Sequence, residues 1–253
     1  MQTHPTGPPS ARRRAWRIAC FALAAWLGAA GVALAQEESS SSTEFWPEID
    51  VWWRLSPAWR LSIFTPVSKN IETEYREGGI ILQGDYAFGK MKHRANWRMV
   101  DDDRAREMRR FLLRAGYLTG RSLDDQGETF SEDTALVELH VRTPLKGKVL
   151  VSHRLRTDFR WLGGESDFSA RFRYRLMIEK ELVSGRTSIV PYVNVEPYYD
   201  TRYDMVNRVR WIGGATVGWT PRFALEGNFT YQHDSKAAAT HTYALNIILH
   251  LFI

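Results

Sequence analysis

The chain has 253 residues, with 34 Lys and Arg against 29 Asp and Glu, a single cysteine and a formal net charge of +5. Most of that positive charge is local. Arg12, Arg13, Arg14 and Arg17 precede an apolar run from Ile18 to Leu34 and a small-residue site, Ala33-Leu34-Ala35, so residues 1–35 read as a secretory signal peptide. The alternative of a transmembrane anchor fits poorly, because the run is short and an acidic, Ser-rich stretch follows it from Glu37 to Thr43. Four of the 34 basic residues and none of the 29 acidic ones fall in this segment, leaving 30 against 29. That balance excludes the sustained basic surface that nucleic-acid binding requires. Cys20 also falls in the signal, at the wrong end of the apolar run for a lipoprotein, so a disulfide framework and a thiolate metal site are excluded as well.

Beyond the signal, no apolar run is long enough for a transmembrane helix, but apolar and polar side chains alternate in segment after segment, which is the pattern of strands. Residues 36–43 read as a flexible leader and 44–253 as one domain. Phe45, Ile49, Val51 and Trp53 face one way, and Glu48, Asp50, Trp52 and Arg54 the other. Leu55-Ser56-Pro57 turns into a strand opened by Trp59, Leu61 and Ile63, and Thr65 to Arg76 reads as a polar loop. Gly78 to Phe88 is a strand, Met91 to Val100 is a strand or a loop, and Arg110 to Gly120 is a strand with Phe111, Leu113, Ala115 and Tyr117 on one side. After a polar loop from Arg121 to Asp133, Ala135, Val137, Leu139 and Val141 alternate with Glu138, His140 and Arg142. Thr143 to Gly147 then forms a tight turn.

The two segments that follow, between Lys148 and Leu182, carry the strongest signal. Val149, Val151, Leu155, Phe159 and Trp161 alternate with Ser152, Arg154, Arg156, Asp158 and Arg160; Phe168, Ala170, Phe172, Tyr174, Leu176 and Ile178 alternate with Arg171, Arg173, Arg175, Glu179 and Glu181. Their polar face is densely charged and they exceed the usual strand length of about five or six residues. Long alternating strands with a charged second face suit a lipid-facing wall and a watery interior. A strand follows from Ile189 to Val195, where Pro191 and Pro197 call for a bulge or strand ends. Asp200 to Met205 is a loop. Val209 to Trp219 and Phe223 to Tyr231 are strands, and His233 to Thr240 is a loop. The last strand places Tyr243, Leu245, Ile247, Leu249, Leu251 and Ile253 on one face. Eleven segments are clear; the expected fold is an all-β, antiparallel transmembrane β-barrel of twelve strands if Met91 to Val100 is one more, or of ten if one of the eleven is not a strand, since both termini on one side require an even number. The amphipathic C-terminal strand, with Phe252 next to last, is similar to the signal read by the barrel-assembly machinery of bacterial outer membranes.

Several strings carry a family resemblance. Trp46-Pro47-Glu48-Ile49-Asp50-Val51, the Arg171 to Arg175 strand with Glu179, the run from Pro191 to Asp200 reaching Arg202-Tyr203, and Glu226 with Tyr231-Gln232 resemble the bacterial family catalogued as domain of unknown function 2490. The resemblance implies an outer-membrane barrel of a Gram-negative bacterium in contact with outer-membrane lipids, and it transfers no catalytic residue.

An outward apolar face would leave Arg154, Arg156, Arg171, Arg173, Arg175, Arg208 and Arg210 as an anion strip along the lumen, with Glu138, Asp158, Glu179, Glu196 and Glu226 as carboxylate partners. Arginine keeps its charge and binds carboxylates or phosphates through a fork. The lumen is therefore expected to be a narrow diffusion channel for small anionic solutes, the alternative being a non-conducting structural or partner-binding barrel that pairs its charges internally. An enzyme fits less well. Ser152 and His153 point to opposite faces; Glu138 and His140 share one, but without the signature of a barrel hydrolase. His93, His233 and His241 read as loop or interface residues. No cofactor or metal is implied. A soluble periplasmic barrel, with its apolar face turned inward, is the remaining alternative.

Overall fold

The computed structural model describes residues 40–90, 109–123, 130–163, 167–185 and 187–253. Among them are thirteen strand segments: β1 Ser41–Arg54, β2 Trp59–Phe64, β3 Val67–Asn70, β4 Arg76–Lys90, β5 Arg109–Ser122, β6 Ser131–Leu145, β7 Val149–Leu162, β8 Asp167–Lys180, β9 Leu182–Ser184, β10 Thr187–Asp200, β11 Met205–Thr220, β12 Phe223–Asp234 and β13 His241–Phe252. Segments β2 and β3 both lie between β1 and β4, so they form one bent stave. Likewise β8 and β9 share the same edge of β10 and count as one. Every neighbouring pair is antiparallel except one: β13 runs parallel to β1 from Ser41↔His241 to Trp52↔Phe252 and closes the barrel. The result is an all-β, mostly antiparallel barrel of eleven staves.

Eleven replaces the expected twelve or ten. The parity rule assumed that the first and last strands begin and end at one mouth, whereas parallel closure puts Ser41 and Phe252 at opposite mouths. Strand β4 pairs directly with β5, from Glu77↔Ser122 to Lys90↔Arg109. The Met91 to Val100 segment, with His93, lies outside the described residues, as does the proposed signal peptide.

Two stretches expected to be irregular are strands. The leader gives way to β1 at Ser41, where β13 supplies the partner backbone and Ser42 turns inward beside Glu44 (Ser42 Oγ to Glu44 Oε1, 3.1 Å). Within the expected loop from Thr65 to Arg76, β3 is polar because of what its inner side chains meet. Ser68 donates to Glu44 at 2.9 Å, and Asn70 to the Ser42 hydroxyl at 3.0 Å. Polarity here marks a lumen face, not a loop. Segments 71–75, 201–204 and 235–240 join strands at one end, called here the loop end, where the strand ends at Ser122, Ser131, Leu162 and Asp167 also lie. The tight connections 55–58, 146–148 and 221–222 lie at the other, the turn end.

Pro191 and Pro197 are accommodated inside β10. Both keep their pairing with β11, Pro191↔Ala215 and Pro197↔Val209. On the opposite edge the ladder to β8 and β9 skips positions 190–191 and 196–197, so the missing N–H costs no ladder bond. The bulge itself falls between Tyr198 and Tyr199, on the β11 side.

The outer face is dominated by apolar side chains: Leu82, Leu113, Val137, Leu155, Ile178, Val193, Leu245 and Ile247 are all exposed. Aromatic rings cluster at the two rims. At the turn end Trp59, Tyr86, Phe88 and Phe111 contact in series, with centroids 4.8, 5.7 and 5.3 Å apart. At the loop end Phe159 and Trp161 flank Phe168, Phe172 meets Tyr199, and Trp211, Tyr231 and Tyr243 pack together.

Candidate functional site: the charged lumen

Alternation turns the even-numbered side chains of β7 and the odd-numbered side chains of β8 into the lumen, and the register brings like charges face to face: Arg154 opposite Arg175 and Arg156 opposite Arg173. Opposed like charges weaken a sheet, and carboxylates from strands on either side offset them. Asp158 accepts from Arg156 at 2.5 Å and Arg171 at 3.1 Å, with Arg173 at 3.7 Å. Glu138 on β6 meets Arg114 at 3.3 Å, Arg154 at 3.5 Å and Arg156 at 3.0 Å. From β10, Glu196 reaches across β8 to pair with Arg154, and it accepts from Arg173 at 3.0 Å. Asp85 on β4 extends the network by accepting from Arg60 and Arg114, each at 2.5 Å. These four carboxylates are 0 to 2% exposed, so their charges are matched by arginine and not by bulk solvent.

Arg208 pairs with Asp234 at 2.6 Å, and Arg210 donates to Gln232 at 2.5 Å while lying over the Trp46 ring. Arg175 is the exception in the expected strip: among the described residues it has no direct hydrogen bond or ion pair, and it stands between Arg154 and Arg173. Among the expected carboxylates, Glu179 also has no direct partner, and its Oε1 is buried. Glu226 belongs to a different cluster, nearer the turn end, where it accepts from Tyr192, from Thr216 at 3.2 Å and from Asn228 at 3.0 Å. His250 lies between Glu226 (3.3 Å) and Asp50 (3.1 Å).

Two inward residues were not anticipated. His250 follows directly from the outward Leu249 and Leu251. Tyr198 lies two positions beyond Glu196 on the same face; it is buried, and the guanidinium carbons of Arg171, Arg173, Arg208 and Arg210 stand 4.5 to 5.7 Å from its ring. Alternation identifies both. His140 and Glu138 come together at 2.7 Å, yet the same carboxylate is surrounded by three arginines, an arrangement suited to holding charge in place. His153 lies on the outer face against the Tyr174 hydroxyl at 2.7 Å. His233 and His241 face each other across β12 and β13 at the loop end.

At that end the lumen opens into a cavity of about 120 Å³ lined by Arg171, Tyr198, Asp200, Arg202, Tyr203, Asn207, Arg208, Asp234, Lys236 and Ala237. Arg202, in the turn after β10, is held in its charged form by hydrogen bonding to Asp200 (2.8 and 3.1 Å), which raises its pKa.

A family model described as "Protein of unknown function (DUF2490)" matches residues 104–243. This span contains the Arg171 to Arg175 strand, the Pro191 to Asp200 run and Glu226, while the Trp46 to Val51 string lies before it. No curated protein and no solved structure matches the chain. Because the match covers more than half of the residues, including the strands that carry most of the arginine–carboxylate network, the chain belongs to the DUF2490 family.

Proposed function

We propose that this chain is an outer-membrane β-barrel whose lumen is braced shut by its arginine–carboxylate network, and that it serves as a structural or ligand-binding barrel and not as a permanently open pore. The observation that carries this reading is the near-complete burial of Asp85, Glu138, Asp158 and Glu196 among arginines from four strands. An open aqueous channel would leave such groups hydrated. Membrane placement is supported by the exposed apolar wall and by the aromatic rims at both ends. A 14-residue strand rising about 3.3 Å per residue, tilted by roughly 40°, spans roughly 35 Å, enough for an apolar band of about 25 Å. Short connections at the turn end support a periplasmic position for it.

The test is fractionation. The chain is expected in the outer-membrane fraction, extractable only with detergent and migrating faster on unheated than on heated gels. Release into the soluble fraction without detergent would overturn the membrane reading.

A second reading, a narrow channel for small anions, is favoured by Arg175, which lacks a direct partner among the described residues. It requires conduction past the braced level, which liposomes containing the protein would report by swelling in small organic anions.

A further inference from the structure

The cavity at the loop end borders the braced part of the lumen, with which it shares Arg171 and Tyr198, and its chemistry is distinct. Its cations converge from four separate elements: Arg171 at the start of β8, Arg202 in the turn after β10, Arg208 at the start of β11 and Lys236 in the loop after β12. The two lining carboxylates are already engaged. Asp200 accepts from Arg202 and from Arg160 (3.2 Å), and Asp234 from Arg208 and the Lys236 backbone N–H (3.0 Å). The Lys236 ammonium has no carboxylate partner among the described residues. It stands 5.9 Å from the Tyr203 ring, with Arg202 also over that ring at 5.2 Å. Four cations, of which Arg171 is shared with Asp158, stand against two occupied carboxylates and leave positive charge facing a cavity of about 120 Å³.

We infer that this mouth is a binding site for a small phosphate-class oxyanion, free or as a terminal phosphoryl group. A planar carboxylate offers acceptors along one edge and would satisfy donors on one side only. A tetrahedral oxyanion presents acceptors in every direction, matching cations that arrive from several strands and loops. Guanidinium forks suit two of its oxygens at a time, and Lys236 adds a point charge from the open side. The buried hydroxyl and ring of Tyr198, with Arg173 donating to the hydroxyl at 2.9 Å, form the cavity floor.

The experiment is isothermal titration of the detergent-solubilised full chain with inorganic phosphate, and separately with a hexose phosphate and with acetate. Saturable one-to-one binding of phosphate, stronger than that of acetate, is expected. The exposed loop substitution Lys236→Gln should weaken it about tenfold, the effect of losing one charge-assisted hydrogen bond, with the fold verified by gel mobility. Lys180→Gln, exposed at the turn end, should change nothing. Binding of inorganic phosphate alone would assign a free anion, and binding of the hexose phosphate as well would assign a phosphoryl group on a larger molecule. Absence of saturable phosphate binding, equal affinity for acetate, or equal weakening by Lys236→Gln and Lys180→Gln would overturn the assignment.

Discussion

Asp158 and Glu179 face the same lumen, but their environments make opposite predictions. Asp158→Asn keeps the volume and removes the one charge that Arg156, Arg171 and Arg173 share. Breaking a buried pair on one side costs about 3 to 5 kcal/mol, so the urea midpoint of this variant should fall markedly in an unfolding assay followed by gel mobility. Glu179→Gln removes a carboxylate with no direct partner among the described residues and should be neutral or stabilising in the same assay. An equal loss in both would show that lumen charge as a whole, and not pairing, supports the barrel. Alternation was enough to place all seven arginines of the strip and their candidate acids on the inner face. It could not pair them, because partners are set by strand tilt and by side-chain reach. Arg154 finds Glu196 two staves away, across β8, at a separation in sequence that no local pattern encodes.

At the scale of the strand, the close approach of β11 to β12 depends on Gly214. A Cβ built there would lie 2.4 Å from Asn228 Cβ and 2.6 Å from the Gly227 carbonyl, whereas one at Gly227 meets nothing within 4 Å. Overpacking of this kind costs about 1 to 3 kcal/mol. Gly214→Ala is therefore expected to lower stability or folding yield, and Gly227→Ala to leave both unchanged, as refolding into detergent would show. The turn between β3 and β4 depends on a carboxylate instead. Glu72 accepts from the Thr43 backbone N–H through both oxygens, at 2.9 and 3.0 Å, and hydrogen bonding to Thr43 holds its pKa below the ordinary value of 4.5. A depressed folded-state pKa means the clamp is complete above about 4.5 and is lost as pH falls through the lower, folded value. Hydrogen exchange at the Thr43 amide should accelerate over that interval in the wild type, and should already be fast at neutral pH in Glu72→Gln. The strand positions were legible from period-two alternation. β3 was not, because its inward side chains are Ser68 and Asn70, and polar residues against a polar lumen look like a loop in one dimension.

Over the whole molecule, all eleven staves were visible as alternating segments, yet parity argued for twelve or ten, because parallel closure between β1 and β13 leaves no mark in the pattern of either strand. Its consequence is topological. Ser40 lies at the loop end and Ile253 at the turn end, so with periplasmic turns an epitope inserted just before Ser41 should be reached by antibody on intact cells, while one appended after Ile253 should be reached only after the outer membrane is opened. Staining of both on intact cells, or of neither, would contradict the proposed orientation. The most direct measurement is the current through a planar bilayer holding the refolded protein, in salt and in small organic anions. A lumen braced by Asp158, Glu138 and Glu196 predicts a quiet baseline in the wild type. Sustained, anion-selective steps in the wild type would contradict it, and their loss in Arg175→Ser would identify the unpaired arginine as the filter of an open channel.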